Sequence, residues 1–304
     1  MHVLITGGTG LIGRAVVDCL LRRDHRVTVL SRRPDRHAHR MPSGVHLQQW
    51  DGRSVGEWRD LLPEVDAIIN LAGENIAAGR WTERRKQAIR ESRVLAGRAL
   101  VEGLRQTGAR PQVLIQASAV GYYGPRGDEI VTEETPPGRD FLARVAVEWE
   151  ASTAAVEEWG IRRSIIRTGV VLSREGGALP RMLLPFKLGL GGPLGNGRQW
   201  FPWIHIADEV GAICFLLEEE EAHGPYNLTA PHPVRNETFT RVLGQVLHRP
   251  TFFRVPAWAL RLLFGEMATI LLEGQRAIPK RLEEAGYTFR FSHVENALSD
   301  LLGG

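Results

Sequence analysis

Apolar residues follow two rhythms along this chain. Short unbroken runs, such as Val3-Leu4-Ile5 and Val113-Leu114-Ile115, alternate through the first half with segments whose apolar positions recur every three or four residues. Unbroken runs predict strands buried on both faces and the longer period predicts helices covering them, which together describe a doubly wound α/β fold around a parallel sheet. The predicted strands are 2–6, 26–31, 45–49, 66–71, 112–117 and 161–167, with helices over about 11–22, 82–106 and 141–159. The fourth run, Asp66 to Gly73, stays apolar until its carboxyl end. That end is where such a sheet places ligands.

Beyond about residue 170 the texture changes: Gly and Pro concentrate in Gly189 to Gly197 and at Gly224-Pro225. A further strand and helix are predicted over 203–219, with Asp208 capping the helix, and from about 236 the chain reads as mostly helical. No repeat or long linker separates the halves, so a second lobe is expected to be woven into the first.

The chain has 304 residues, 43% hydrophobic and 24% charged, enough for one large α/β unit or a domain with a smaller lobe. Thirty-eight basic against 35 acidic residues leave +3, too weak a bias to predict a nucleic-acid or membrane partner. Cys19 and Cys214 are far apart in apolar periodic segments, which predicts separate buried thiols in a reducing compartment, with no disulfide and no metal site. Met1 runs straight into the first strand without a leader pattern, and the apolar stretch Val255 to Leu272 is broken by Arg261 and Glu266. A cytoplasmic location is expected. Only Lys86, Lys187 and Lys280 are lysines, so any chemistry that needs a lysine has three candidates.

Between the first strand and its helix stands Gly7-Gly8-Thr9-Gly10-Leu11-Ile12-Gly13. In that context the spacing Gly-x-x-Gly-x-x-Gly predicts a dinucleotide site: Gly7 for the tight turn, Gly10 for approach of a pyrophosphate to helix-end amides, and Gly13 for close packing of the helix on the sheet. The second strand ends in Ser31-Arg32-Arg33, where a carboxylate would accept from a ribose 2′-hydroxyl. A hydroxyl and guanidinium groups suit a 2′-phosphate instead, so NADP(H) is expected, the alternative being a solvated basic turn. Asp51 is placed either to accept from an adenine amino group or to build its own Asp-Gly turn.

Thr6 to Gly13, Asn70-Leu71-Ala72-Gly73, the Ser118 to Gly124 segment and Pro202-Trp203-Ile204-His205-Ile206-Ala207-Asp208 together resemble the extended short-chain dehydrogenase/reductase superfamily of nucleotide-sugar epimerases and dehydratases. More narrowly, Asn70 to Ile76, Glu91-Ser92-Arg93, Leu183 to Pro193 and Leu271 to Pro279 look like its atypical "epimerase family" branch, which binds NADP(H). The resemblance covers nearly the whole chain. It implies a Rossmann domain over 1–171 plus about 203–228, and a smaller, mostly helical substrate lobe over about 172–202 plus 229–304. It further implies Gly7, Thr9, Gly10, Leu11 and Ile12 at the pyrophosphate, Ser31 and Arg32 at the 2′-phosphate, and Asn70, Leu71 and Ala72 along the adenosine. Arg93 is implied as a second phosphate contact, unless it is a surface arginine, and the segment from Arg167 to Val170 would lie near the nicotinamide. Superfamily habit makes a homodimer plausible.

The superfamily uses a tyrosine as general acid/base with a lysine four residues on, and a Ser or Thr that polarises the substrate. Tyr122, Tyr123, Tyr226 and Tyr287 are followed four places later by Arg126, Gly127, Ala230 and Phe291, so no such pair exists here. The corresponding helix carries Asp140 and Arg144, and a guanidinium does not exchange protons near neutral pH. Ser118 is the polarising candidate, and Tyr122 or Tyr123 the proton donor, with Arg126 lowering its pKa; loop packing is the alternative for both tyrosines. His205 is either a substrate ligand or a structural donor, and Trp200, Phe201 and Trp203 form either a substrate wall or a seam between lobes. Two functions are expected: an NADP(H)-dependent oxidoreductase or epimerase on a small carbonyl or sugar-like molecule, or a non-catalytic NADP(H)-binding or redox-sensing protein.

Overall fold

The structure, a computed structural model, describes residues 1–303. Seven strands, β1 (His2–Thr6), β2 (Arg26–Ser31), β3 (Val45–Gln49), β4 (Ala67–Asn70), β5 (Val113–Ala119), β6 (Arg162–Thr168) and β7 (Gly224–Leu228), form one parallel sheet in the order β3-β2-β1-β4-β5-β6-β7. The α-helices of eight residues or more are α1 (Leu11–Leu21), α2 (Glu83–Thr107), α3 (Phe141–Ala151), α4 (Leu179–Lys187), α5 (Ile206–Glu218), α6 (Asn236–Val246), α7 (Ala257–Phe264) and α8 (Val294–Leu302). The strand order reverses between β1 and β4, and the crevice at such a switch point is where doubly wound sheets bind ligands.

Alternation along the strands divides the core in two. Val3, Ile5, Ile69 and Ile115 pack with Val16 and Leu20 of α1 and Ala212, Ile213 and Leu216 of α5. Leu4, Ile68 and Leu114 point the other way, onto Ala96, Leu100 and Leu104 of α2. A third core joins α4, α6 and α8 around Leu179, Phe186, Trp203, Phe239, Phe291 and Leu298.

The six predicted strands fall within a residue or two of β1 to β6. The seventh, β7, was hidden by Gly224-Pro225; as the outermost strand it accommodates Pro225, because an edge position does not require every amide in the ladder. The helix predicted over 141–159 ends at Ala151 and resumes as a 3-10 turn over Ala154–Trp159. Ser152 Oγ donates back to the Trp149 carbonyl at 2.6 Å, a local bond that competes with helix propagation. Asp208 does not cap α5: the cap is His205, whose Nδ1 accepts from the Ala207 N–H at 3.0 Å. The Asp208 carboxylate accepts from the amides of Arg290 and Phe291 at 2.7 and 2.9 Å, which pins the C-terminal segment to α5. Among the described residues no helix is long and apolar enough to cross a membrane.

Candidate functional site

At the switch point β1 passes into α1 through the glycine loop. Gly7 has φ +69°, and the Gly10 N–H donates to its carbonyl at 3.0 Å. A Cβ on Gly13 would stand 2.4 Å from the Gly7 carbonyl oxygen, so only glycine lets α1 start this close to the strand. Gly10 is exposed at the N-cap, no side chain caps the helix, and its first turn carries no acidic residue. The first-turn amides and the positive end of the helix dipole suit an anion at the carboxyl edge of the sheet. Thr9 is half-buried beside it, Leu11 reaches across to Gly176 and Gly177, and Ile12 packs against the core below.

Next to this loop, β2 ends in buried Ser31, whose Oγ accepts from the Arg33 N–H at 3.2 Å and keeps its own proton to donate. Arg32 and Arg33 are exposed, and among the described residues neither forms an ion pair. Asp51 is not available to an adenine: its carboxylate accepts from the amides of Arg53 and Ser54 and from the Ser54 hydroxyl at 2.8, 2.9 and 2.5 Å, building its own turn.

Asn70 needs a similar correction, since its side chain is wholly buried and turned inward. Thr6 Oγ1 donates to Asn70 Oδ1 at 2.6 Å and accepts from the Ala72 N–H at 3.1 Å, while Asn70 Nδ2 donates to Gln116 at 2.9 Å. Asn70 thus sets the course of the loop through Leu71 and Ala72, both half-buried beside Gly7, instead of offering its own amide. Arg93 braces the same loop from α2: its NH1 donates to the carbonyls of Glu74 and Ile89 at 3.1 and 2.9 Å, and its guanidinium lies 4.9 Å over the Trp149 ring. Burial pulls its pKa down to about 10, and it stays cationic.

The carboxyl ends of β5 and β6 hold a buried polar network. Ser118 Oγ donates to Glu150 Oε1 at 2.6 Å, and Arg167 grips both Glu150 oxygens at 2.9 and 3.0 Å. Arg167 also donates to the Tyr123 hydroxyl and the Glu133 carbonyl, each at 3.1 Å, and the Tyr123 hydroxyl donates to Asn227 at 2.7 Å. The network bears on three expectations. Arg167 spends four of its five donors internally, leaving one on Nη2. Tyr123 is fully buried, burial pushes its hydroxyl up to about 12 against the pull of Arg167, and its proton is given to Asn227. Ser118 gives its proton to a carboxylate, leaving only lone pairs to offer a carbonyl.

Tyr122 is different. It is half-buried, its ring lies 3.5 Å from the Arg167 guanidinium, and among the described residues its hydroxyl has no hydrogen-bond partner. Arg126 does not act on either hydroxyl, because its guanidinium clamps the carbonyls of Tyr123 and Pro136 at 3.0 and 2.6 Å. Asp140 is the N-cap of α3, accepting from the Ala143 N–H at 2.8 Å, and exposed Arg144 donates to the Arg139 carbonyl at 2.7 Å. Lys86 and Lys280 pair with Glu266 and Glu134 at 2.5 and 3.5 Å, and Lys187 is exposed on α4. Val170 continues from β6, its N–H donating to the Pro202 carbonyl at 2.6 Å.

His205 stacks on Phe291 at 3.9 Å and lies 3.3 Å from Asp300, a structural placement. Trp203 is wholly buried in the third core, where Phe201 packs on Phe239 at 4.4 Å, and half-buried Trp200 donates its Nε1–H to Asp128 at 2.8 Å. Glu133, Glu150, Glu209 and Asn227 were not singled out from sequence. A signal existed for Glu209, which shares the apolar spacing of Ala212, Ile213 and Leu216 on α5. Glu150 shares its helical face with Ala143 and Ala146 on α3 in the same way.

A family model described as "NAD dependent epimerase/dehydratase family" matches residues 3–229, and a domain of unknown function matches residues 255–301. An epimerase family protein of Staphylococcus saprophyticus is 41% identical over 99% of each chain. Epimerase family protein YfhF of Bacillus subtilis is 40% identical over 99% of this chain and 98% of its own. The crystal structure of human epimerase family protein SDR39U1 (isoform 2) with NADPH superposes with a TM-score of 0.88 at 36% identity, over 100% of this chain and 99% of that one. The UDP-glucose 4-epimerase of Thermus thermophilus in complex with NAD shares the fold at 20% identity, with a TM-score of 0.79 over 100% of this chain and 99% of that one.

Proposed function

Because the chain belongs to the NAD dependent epimerase/dehydratase family, we propose that it is an NADP(H)-dependent oxidoreductase or epimerase acting on a small carbonyl or sugar-like substrate. The observation that carries this is the bare N-terminus of α1 beside two unpaired arginines, with no carboxylate at residues 31–33. The cradle fits the cofactor: the first-turn amides of α1 take the pyrophosphate, while the Ser31 hydroxyl and the Arg32 guanidinium take a 2′-phosphate. When bound, the nicotinamide supplies hydride chemistry at the carboxyl edge of the sheet. Of Ser118, Tyr122 and Tyr123, Tyr122 is the one whose hydroxyl, among the described residues, is left free to hold or deliver a proton.

Isothermal titration tests the cofactor. Charge-assisted bonds of about 1.5–3 kcal/mol to the 2′-phosphate predict NADPH binding about ten- to a hundredfold tighter than NADH. Arg32→Glu abolishes or reverses the preference, and equal affinities for the two nucleotides reject the assignment. A panel of carbonyl substrates followed by NADPH absorbance tests catalysis, with Tyr122→Phe expected to lose turnover and Ser118→Ala to retain it in part.

A second reading, a non-catalytic NADP(H)-binding protein, is favoured by one arrangement: Ser118, Tyr123 and Arg167 are committed to an internal network, and no Tyr-x-x-x-Lys pair replaces them. Tight NADPH binding with no turnover across the panel selects it.

A further inference from the structure

Cys19 and Cys214, expected to be separate inert thiols, are in contact. The Cys214 thiol lies 3.1 Å from the Cys19 sulfur across the seam where α1 packs on α5, although 195 positions separate them in the chain. The two are not equivalent. Cys214 is wholly buried, while Cys19 is half-buried near the charges of Arg22, Arg23 and Glu218. Among the described residues no group of three metal-ligating side chains is found.

We propose that Cys19 and Cys214 are a site of oxidative modification, a dithiol that a peroxide converts into an intramolecular disulfide joining the cofactor-loop helix α1 to α5. Asymmetry assigns the order of events. The hydrogen bond from Cys214 lowers the pKa of Cys19, and the positive charges of Arg23 and Arg22 add to it, whereas the contact with Cys19 and burial raise that of Cys214. The more accessible and more acidic thiol, Cys19, is the nucleophile. Cys19 thiolate attacks hydrogen peroxide, breaking the O–O bond and, with one proton, releasing water and leaving a sulfenic acid. The Cys214 sulfur then attacks the Cys19 sulfur, forms the S–S bond and expels hydroxide, which takes the Cys214 proton and leaves as a second water. Two thiols lose two electrons and one peroxide gains them. The sulfurs need close by only about 1 Å to reach the bonded separation of about 2.05 Å.

The test uses the full chain, reduced, desalted and exposed to hydrogen peroxide. Expected are a mass loss of two hydrogens, disappearance of both thiols from a denatured thiol count, a peptide map joining the Cys19 and Cys214 segments, and full reversal by dithiothreitol. The thermal midpoint rises on oxidation, because a cross-link over so long a loop confines the unfolded chain. In Cys214→Ala, or in Cys214→Ser if the alanine variant does not fold, Cys19 stops at a sulfenic acid that dimedone traps. Oxygen gain at Cys19 without a cross-link overturns the proposal. So does a cross-link between two chains, or survival of both thiols under peroxide that oxidises free glutathione.

Discussion

Glu209 provides a pH-dependent test of the structure. It lies in the first turn of α5 with no exposed surface; Oε1 accepts from Thr168 Oγ1 at 2.8 Å, and among the described residues Oε2 has no partner. Burial pushes its carboxyl from an ordinary 4.5 up to about 8. Between those values the folded protein holds a proton that the unfolded chain has released. The stability tied to the neutral acid is therefore whole below pH 4.5 and is lost progressively as pH rises through about 8. At about 1.36 kcal/mol per pH unit, raising the pH from 6 to 8 costs the fold about 2–3 kcal/mol through this group alone. Glu209→Gln keeps the shape and the acceptor for Thr168 and removes the titration. Urea unfolding of both proteins at pH 6, 7 and 8 should show the variant gaining about 2–3 kcal/mol on the wild type across the range. Other titrating groups, among them His205 and Glu133, are common to both proteins and cancel. A wild-type-to-variant difference that stays constant within about 0.5 kcal/mol refutes the buried neutral acid.

Arg167→Met leaves Glu150 buried without its partner and should cost about 3–5 kcal/mol in urea unfolding, much of it recovered in the double variant Arg167→Met, Glu150→Leu; no recovery would argue against the pairing. Tyr123→Phe orphans Asn227 Oδ1 and should lose about 1–3 kcal/mol of stability while leaving any turnover unchanged, so a collapse of kcat at full stability would return Tyr123 to the chemistry. In Gly13→Ala the new Cβ meets the backbone of Gly7 and Gly8 at 2.4 and 2.6 Å, an overpacking of about 1–3 kcal/mol that should weaken NADPH binding about ten- to a hundredfold by titration.

Much of the turn between β1 and α1 was legible because its determinants are local. Unbroken apolar runs placed six strands, and one heptapeptide from Gly7 to Gly13 carries the turn, the uncapped helix end and the close packing. The substrate side was not legible in the same way. Ser118, Tyr123 and Arg167 have plausible residue types in plausible places, yet Ser118 finds Glu150 across 32 positions and Arg167 finds Tyr123 across 44. A residue type states what a side chain can donate; only its neighbours decide where the proton goes.

By itself, then, the chain determined the layered α/β architecture, the glycine-lined start of α1 and the absence of any tyrosine-lysine pair, since each depends on residues within a few positions of one another. Tertiary structure alone decided that Asn70, Tyr123 and Arg167 face inward, that Tyr122 keeps a free hydroxyl and that Cys19 meets Cys214. Hydrogen bonds and thiol contacts are short-ranged in space and indifferent to distance along the chain, so the partners emerge only when the sheet brings its carboxyl ends and its covering helices together.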